Sequence, residues 1–387
     1  MQVFVETGFW ACLGWLLYVY AGYPALLLLL ARLVGRDVRK SACKPSVSVI
    51  VAAFNEEEEI EHTVTNKLEQ DYPPEQLSVI VVSDGSTDET DAIVGKLVDR
   101  FGPRCQLLRQ EPRQGKTQAL NLAVTRAAGN VLVFSDANSI YAPDAVRQLV
   151  SNFADPSVGY VTGQMVYTTP DGNGIGEGSS SYMRYENWLR SLETRLNSVV
   201  GVDGGIDAVR RELYVPMRPD QLPDFVLPLN VVEQGKRVVY EPGAILFEPA
   251  LAVATDEFRM RIRVSLRALW ALYDKRSLLN PFRNALFAWQ LWSHKVLRYG
   301  AFLPLAGLVV FNALLIDEGH FYLLFLALQI LAYGLAALGH GLSRVQSVPS
   351  RALTPYYFFI LNAACAVAFW KFIKGQKMVI WKPREGG

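Results

Sequence analysis

At 387 residues, 51% hydrophobic and only 19% charged, the chain is too apolar for a purely soluble protein and long enough for a globular domain plus membrane segments. With 38 Lys and Arg against 37 Asp and Glu, the net charge of +1 gives no electrostatic case for nucleic-acid binding. Four scattered cysteines (Cys12, Cys43, Cys105, Cys365) and four scattered histidines (His62, His294, His320, His340) lack the spacing of a zinc site, a redox pair or a disulfide framework.

The apolar excess is local. Residues 1–40 hold the first block, in which Phe9 to Leu30 is long enough to cross a hydrocarbon core of about 30 Å as a helix. No basic segment precedes it, so a retained transmembrane helix is expected rather than a secretory signal. Arg32, Arg36, Arg39, Lys40 and Lys44 follow, with Asp37 the only acid among them, and the positive-inside rule then assigns residues 44–250 to the cytosol.

Within 44–250, strand-like and helix-like pieces alternate, which predicts a mostly parallel α/β sheet covered on both faces. Val47 to Phe54 reads as a buried strand, with Asn55 capping a helix whose first turn is Glu56 to Glu59. Val79 to Ser83 is a second strand, ending at Asp84-Gly85 before a helix from Thr87 to Arg100. A short strand, Gln106 to Leu108, comes next; Gly115-Lys116 then precedes a helix through Ala128, and Val131 to Asp136 is another strand before a helix opened by Pro143. After Val158 to Tyr167 the pattern loosens. Pro170 to Ser181 reads as a loop, Tyr182 to Leu196 as an amphipathic helix, and Gly201 to Gly205 as a cluster that lets backbone approach a ligand. Asp224 to Gln234 is a helix ended by Gly235, and Val238 to Ile245 a final strand.

Residues 256–298 read as basic interfacial helices: Glu257 to Arg298 carries nine Lys or Arg against two acids, Arg259, Arg263 and Arg267 form a stripe beside an apolar face, and Phe282 to Val296 looks like a second such helix. Residues 299–373 hold candidate spans at Tyr299 to Ile316, Phe321 to Leu342 and Thr354 to Phe372, followed by a basic tail, 374–387. Three such spans would put Lys371, Lys374, Lys377, Lys382 and Arg384 outside, against the positive-inside rule, so either the last segment is re-entrant or interfacial, which leaves the C-terminus cytosolic and is the preferred reading, or the charge rule is overridden.

Asp84, Asp136 and Asp224 fall where the carboxyl end of a parallel sheet could collect them into one ligand pocket. Ser48-Val-Ile-Val-Ala-Ala-Phe-Asn-Glu-Glu57, Val82-Ser-Asp-Gly-Ser86, Gly115-Lys116 and Phe134-Ser-Asp-Ala-Asn138, in that order, resemble the motifs of family 2 glycosyltransferases of the GT-A fold; with the flanking spans, they resemble the family's hyaluronan and poly-N-acetylglucosamine synthases.

The resemblance implies a Rossmann-like cytosolic domain that uses a UDP-sugar and a divalent cation, Mg2+ or Mn2+. It implies that Asp84 accepts a hydrogen bond from the uracil, that Phe54, Asn55 and Glu56 line the nucleotide, and that Lys116 lies by the base or diphosphate. Asp136 and Asn138 take the positions of the metal-binding Asp-x-Asp, with a neutral amide in place of the second acid. Asp224 matches the general base, although Pro223 stands where the family has an acid and a helix cap would also explain Asp224. Arg263 and Arg267 could hold the diphosphate or face lipid headgroups, and the family's Gln-x-x-Arg-Trp spacing is absent. Gly204 and Gly205 would lie near the acceptor, and Trp188 could stack on a sugar there, although an aromatic on an amphipathic helix is more often a core residue.

The implied activity is inverting sugar transfer at the cytoplasmic face of a bacterial inner membrane, onto a glycan or a lipid-linked acceptor, with an oligomer or an export partner as a further expectation. A polyprenyl-phosphate sugar synthase and a non-catalytic nucleotide- or glycan-binding subunit are the alternatives.

Overall fold

A computed structural model describes the backbone of residues 1–168, 177–249, 254–342 and 354–378. The chain divides into two units: a sheet unit, chiefly Val34–Ile175 and Tyr185–Ala250, and an apolar helical unit, chiefly Met1–Leu33 and Leu251–Lys377.

The sheet unit contains eight strands, β1 Val47–Ala53, β2 Leu77–Ser83, β3 Cys105–Arg109, β4 Val131–Asp136, β5 Ile140–Tyr141, β6 Val158–Thr168, β7 Asp207–Arg210 and β8 Arg237–Pro249. Their order across the sheet is β3-β2-β1-β4-β7-β6-β8-β5. The first four are parallel, as the alternation of strands and helices predicts. β7 then runs antiparallel to β4 and β6, β6 and β8 are parallel, and β5 is antiparallel to β8, so the sheet is mixed.

The central strands read as continuous apolar runs because helices cover both their faces. Val49, Ile50 and Val51 of β1 have no exposed surface, and each such burial is worth about 1.5–3 kcal/mol. Ile60 and Val64 from helix Ile60–Leu68, and Val94 and Leu97 from helix Thr90–Phe101, fill one side of this core. The pairing sets Ala53 beside Ser83 and Ala52 beside Asp136, so three strands end together and their loops meet at one edge.

At that edge the structure corrects two helix starts. Asn55 does not cap a helix: it adopts a left-handed backbone, φ 54°, which Asn tolerates better than most residues, and its side-chain oxygen accepts from the Thr87 amide at 2.9 Å. The glutamates that follow form a turn, because their amides are bonded sideways: Glu56 N–H donates to the Thr90 hydroxyl at 2.9 Å and Glu57 N–H to Asp88 at 3.1 Å. The helices therefore begin later, at Ile60 and Thr90, and Asp88 accepts from the Thr90 amide at 3.1 Å. The helix expected from Tyr182 begins at Glu177, so the loop expected over Pro170 to Ser181 lies partly outside the described residues.

In the apolar unit, Gln2–Leu33, His320–Gly341 and Thr354–Ile373 are each long and apolar enough to cross a membrane. Residues 282–296 and 299–316, expected as an interfacial helix and a separate span, are instead the bent pair Ala285–Tyr299 and Phe302–Leu314, turned by 57° at a short break. Phe302–Leu314, at 13 residues, is too short to cross alone. Phe9 is fully buried among Trp10, Phe321, Tyr322 and Phe325, edge-to-face at 5.1–6.2 Å. Polar ties join the first helix to Ala285–Tyr299: Trp15 donates to the Leu297 carbonyl at 3.0 Å, and Tyr18 lies 2.7 Å from the Ser293 hydroxyl.

Candidate active site

Asp84 sits just past β2 and is 4% exposed. One of its carboxylate oxygens accepts from the Gln110 side chain at 2.5 Å and the Gln114 amide at 2.8 Å. The other accepts from the Gly115 amide at 2.8 Å and faces Arg113 Nε at 3.5 Å. A carboxylate offers about four lone-pair sites, and these three hydrogen bonds with the Arg113 ion pair take up most of them. Its effect in this structure is to fasten loop 110–115 to β2. That loop carries the Arg113 guanidinium over the Phe54 ring at 3.5 Å, a flat surface beside Asn55 and Glu56. Gly85, φ 72°, makes room for it, since a Cβ there would stand 3.3 Å from the Arg113 Cβ.

Gly115 ends the loop and Lys116 opens helix Lys116–Arg126. Its ammonium donates to Asp136 at 2.6 Å and lies 3.8 Å from Asp224. Burial alone would lower its proton affinity, but Asp136, Asp224 and Asp207 together outweigh burial and raise it. One lysine thus faces three carboxyl groups.

Asp224 is in the first turn of helix Pro223–Glu233, with Pro223 at the helix start and Leu222 as the N-cap. The helix-cap explanation therefore does not apply, although an acid in the first turn still suits the helix dipole. Gly204, φ 78°, lets the Asp224 carboxylate lie against the backbone, for a Cβ there would meet its carboxyl carbon at 2.8 Å. Gly205, φ 77°, lies beside Asp136, but the close neighbour of an added Cβ there would be Leu246 Cδ2 at 3.0 Å, with Asp136 Oδ2 at an ordinary 3.5 Å. The glycine segment is fixed by Arg190, which pairs with Asp203 through both terminal nitrogens and donates to the Gly201 carbonyl at 3.1 Å. Trp188, two residues earlier on helix Glu177–Leu196, is 40% exposed and not a core residue. Arg263 and Arg267 lie on helix Ala254–Asp274 of the apolar unit.

Sequence reasoning missed two charged residues here. Asp207 on β7 is 2% exposed; burial foremost, and then Asp224, push its carboxyl up to about 8, although Thr162 and Tyr160 offer it hydrogen bonds. A four-residue strand with a buried acid has no strand signature, and β7 was hidden behind the glycine cluster. Lys67, fully buried on helix Ile60–Leu68, donates to the Ser139 carbonyl and, at 3.1 Å, to Asn66, and stands 3.8 Å over the Tyr141 ring. Burial drives its pKa well down, with Asp136 opposing. The helix pattern around Lys67 marks an inward face, and a charge there was the available signal.

Asn66 bonds Tyr141 twice, accepting from its amide at 2.8 Å and donating to its carbonyl at 3.0 Å. Together Asn66 and Lys67 hold the segment 136–141 from behind. Asn138, on this segment, donates to Glu248 at 3.4 Å.

Among the described residues no three His, Cys, Asp or Glu side chains converge as a complete metal cage. Asp136 and Asn138 fit a hard cation that takes most of its ligands from phosphate and water, because such ions are commonly held by one or two protein oxygens.

Residues 48–214 match the family model described as glycosyl transferase family 2. The chain carries a family 2 glycosyltransferase domain. This domain has curated relatives: it is 29% identical over 170 residues to a beta-monoglucosyldiacylglycerol synthase of Nostoc sp., covering 43% of this chain and 36% of that protein. It is 28% identical over 245 residues to an N-acetylglucosaminyltransferase of Rhizobium meliloti, covering 59% of this chain and 55% of that one. The chain thus spans little more than half the length of these relatives, or less. A mannosyltransferase from Pyrobaculum calidifontis, solved in complex with GDP-Man and Mn2+, has a similar fold with a TM-score of 0.71 at 24% identity, covering 96% of this chain and 99% of that one. The GT-A fold of the glycosyltransferase domain is therefore established. The family match ends at residue 214, before Asp224 and Glu248.

Proposed function

We propose that this chain is a membrane-bound inverting glycosyltransferase that moves a sugar from a nucleoside diphosphate sugar to a glycan or lipid-linked acceptor. The observation that carries this reading is the grouping of Asp224, Lys116 and Asp136 around Gly204 and Gly205, with the Lys116 ammonium 2.6 Å from Asp136 and 3.8 Å from Asp224. Such a site supplies a base for a hydroxyl and a cation for a leaving diphosphate.

In the reaction, Asp224 takes the proton of the acceptor hydroxyl as its oxygen bonds to the anomeric carbon on the face opposite the diphosphate. The anomeric carbon–oxygen bond to the diphosphate breaks, and the diphosphate leaves with the electron pair. Lys116 counters the charge that builds on it. The nucleoside lies against the Phe54–Arg113 surface, with Asn55 and Glu56 at its margin and Asp84 holding loop 110–115 in place. Asp136 and Asn138 would hold the Mg2+ or Mn2+, which when bound neutralises phosphate charge. Gly204, Gly205 and the exposed Trp188 offer space and a stacking face to the acceptor. Arg263 and Arg267, on helix Ala254–Asp274 of the apolar unit, are basic groups suited to a phosphate, whether of a diphosphate or of an anionic lipid. The relatives named for a glucosyldiacylglycerol and for N-acetylglucosamine transfer support a lipid or glycan acceptor. The basic residues after the first span support a cytosolic sheet unit at a bacterial inner membrane.

One observation favours a second reading. Asp224 has an ammonium 3.8 Å away, which weakens it as a base. An acceptor that is already an anion, such as a polyprenyl phosphate, needs no base at all.

Purified protein given UDP- and GDP-sugars with Mn2+ and lipid acceptors should release nucleoside diphosphate, and Asp224→Asn should lower that rate by about 10²–10⁴-fold. Release that is indifferent to Asp224→Asn would establish the phosphate acceptor instead. No release with any donor would refute glycosyl transfer.

A further inference from the structure

Asn138 raises a chemical problem that the structure answers. An amide contributes a neutral oxygen where a second carboxylate would strengthen a cation site, and it can also turn the wrong way, presenting N–H2 to the ion. Asp136 does not make up the charge, because Lys116 already pairs with it at 2.6 Å.

The carboxylate that the Asn138 amide reaches is on the neighbouring strand β8. β5 and β8 pair antiparallel, with Ile140 opposite Phe247 and Tyr141 opposite Leu246, and the Ala142 amide donates to the Ile245 carbonyl at 2.9 Å. One step further along the same pairing, the segment carrying Asn138 meets Glu248, and the Asn138 amide nitrogen lies 3.4 Å from Glu248 Oε1. That contact is long for a hydrogen bond, but its sign is unambiguous, since an ionised carboxylate only accepts. It therefore selects one of the two amide orientations: nitrogen toward Glu248, oxygen away from it. The backbone cannot drift to undo this, because Lys67 and Asn66 grip Ser139 and Tyr141 from behind. A second polar group waits at the same place. The Ser139 hydroxyl is fully buried with no partner among the described residues, and it and Asp136 Oδ2 each lie 3.5 Å from the point where a Gly205 Cβ would stand.

We propose that Glu248 is a positioning residue for the divalent cation: it turns the Asn138 amide so that its oxygen is offered to the ion, and it supplies the negative charge that position 138 lacks. The inference rests on the cation-dependent reading of the site above. Partners that orient a ligand side chain are worth about 10–100-fold in metal affinity.

Mn2+ binding can be read without turnover, by electron paramagnetic resonance of free Mn2+ during titration of the full-length protein with UDP or GDP present. Glu248→Gln, which removes the charge and can donate as well as accept, should weaken Mn2+ binding by about tenfold. With Asn138→Asp already in place the same substitution should have less than about a twofold effect or tighten binding, because Glu248 would then face a like charge. A purely structural Glu248 predicts equal losses in both backgrounds, and that result overturns the inference, as does unchanged affinity in Glu248→Gln alone. Should Glu248→Gln fail to fold, Asn138→Asp by itself decides: the inference requires tighter Mn2+ binding together with a lower melting temperature in chelator, and no change in either overturns it. Wild-type protein that binds no Mn2+ also overturns it, while nucleoside diphosphate release from a sugar donor judges glycosyl transfer separately.

Discussion

The two acidic clusters at the carboxyl edge of the sheet are built on opposite principles. Asp84 is one carboxylate surrounded by four donors, two of them backbone amides of the loop it fastens. Asp136, Asp207 and Asp224 are three carboxyl groups that share Lys116. The first arrangement is electrostatically complete and gives stability. The second has surplus negative charge and gains from a ligand, a cation or a proton. Function concentrates where the protein leaves its own charges unbalanced.

Substitutions in the two clusters should separate these roles. Lys116→Met removes the cation from the unbalanced side, and turnover should fall by about 10²–10³-fold, measured as nucleoside diphosphate release. A fall of less than tenfold would mean that Lys116 only balances its neighbours. Asp84→Ala leaves buried amides of loop 110–115 without acceptors, and urea unfolding should show a loss of about 3 kcal/mol, with donor binding weakened through the loop. Equal stability with weakened binding would reverse the contrast and make Asp84 a direct reader of the base. Asp207→Asn should have the smallest effect, and a pH-dependent one. The Asp207 carboxyl is raised from its ordinary 3.8 to about 8, so its favourable contribution is complete below pH 3.8 and is lost as pH rises through 8. The variant cannot ionise, and its melting temperature relative to wild type should climb between pH 6 and pH 9. A difference flat with pH would show that Asp207 ionises normally.

The parallel half of this architecture was legible because its physics is local. β1, β2 and β4 are apolar runs stopped by Asn55, Asp84 and the Asp136 turn, and burial on both faces leaves them no other reading. The glycines at 204 and 205 were read as a place where backbone approaches a ligand, and in the structure it is the Asp224 carboxylate that lies against Gly204. What escaped depends on long-range partners. Glu56 and Glu57 look like a helical first turn until residues 88–90 bond their amides. β7 exists because β4 and β6 flank it, and the Asn138–Glu248 contact spans 110 residues. The 57° break between Ala285–Tyr299 and Phe302–Leu314 was equally hidden, since hydropathy reports how apolar a segment is and not whether it is straight.

The double bond from Asn66 to Tyr141 has a consequence for how tightly a ligand can be held. An asparagine side chain there copies the donor–acceptor pair of a neighbouring strand, so residues 136–141 are laced on one side by a helix and on the other by β8. That segment is immobilised when the domain folds. On the proposed reading, a nucleotide or cation arriving later would meet a receptor already shaped and would sacrifice little conformational entropy in ordering it.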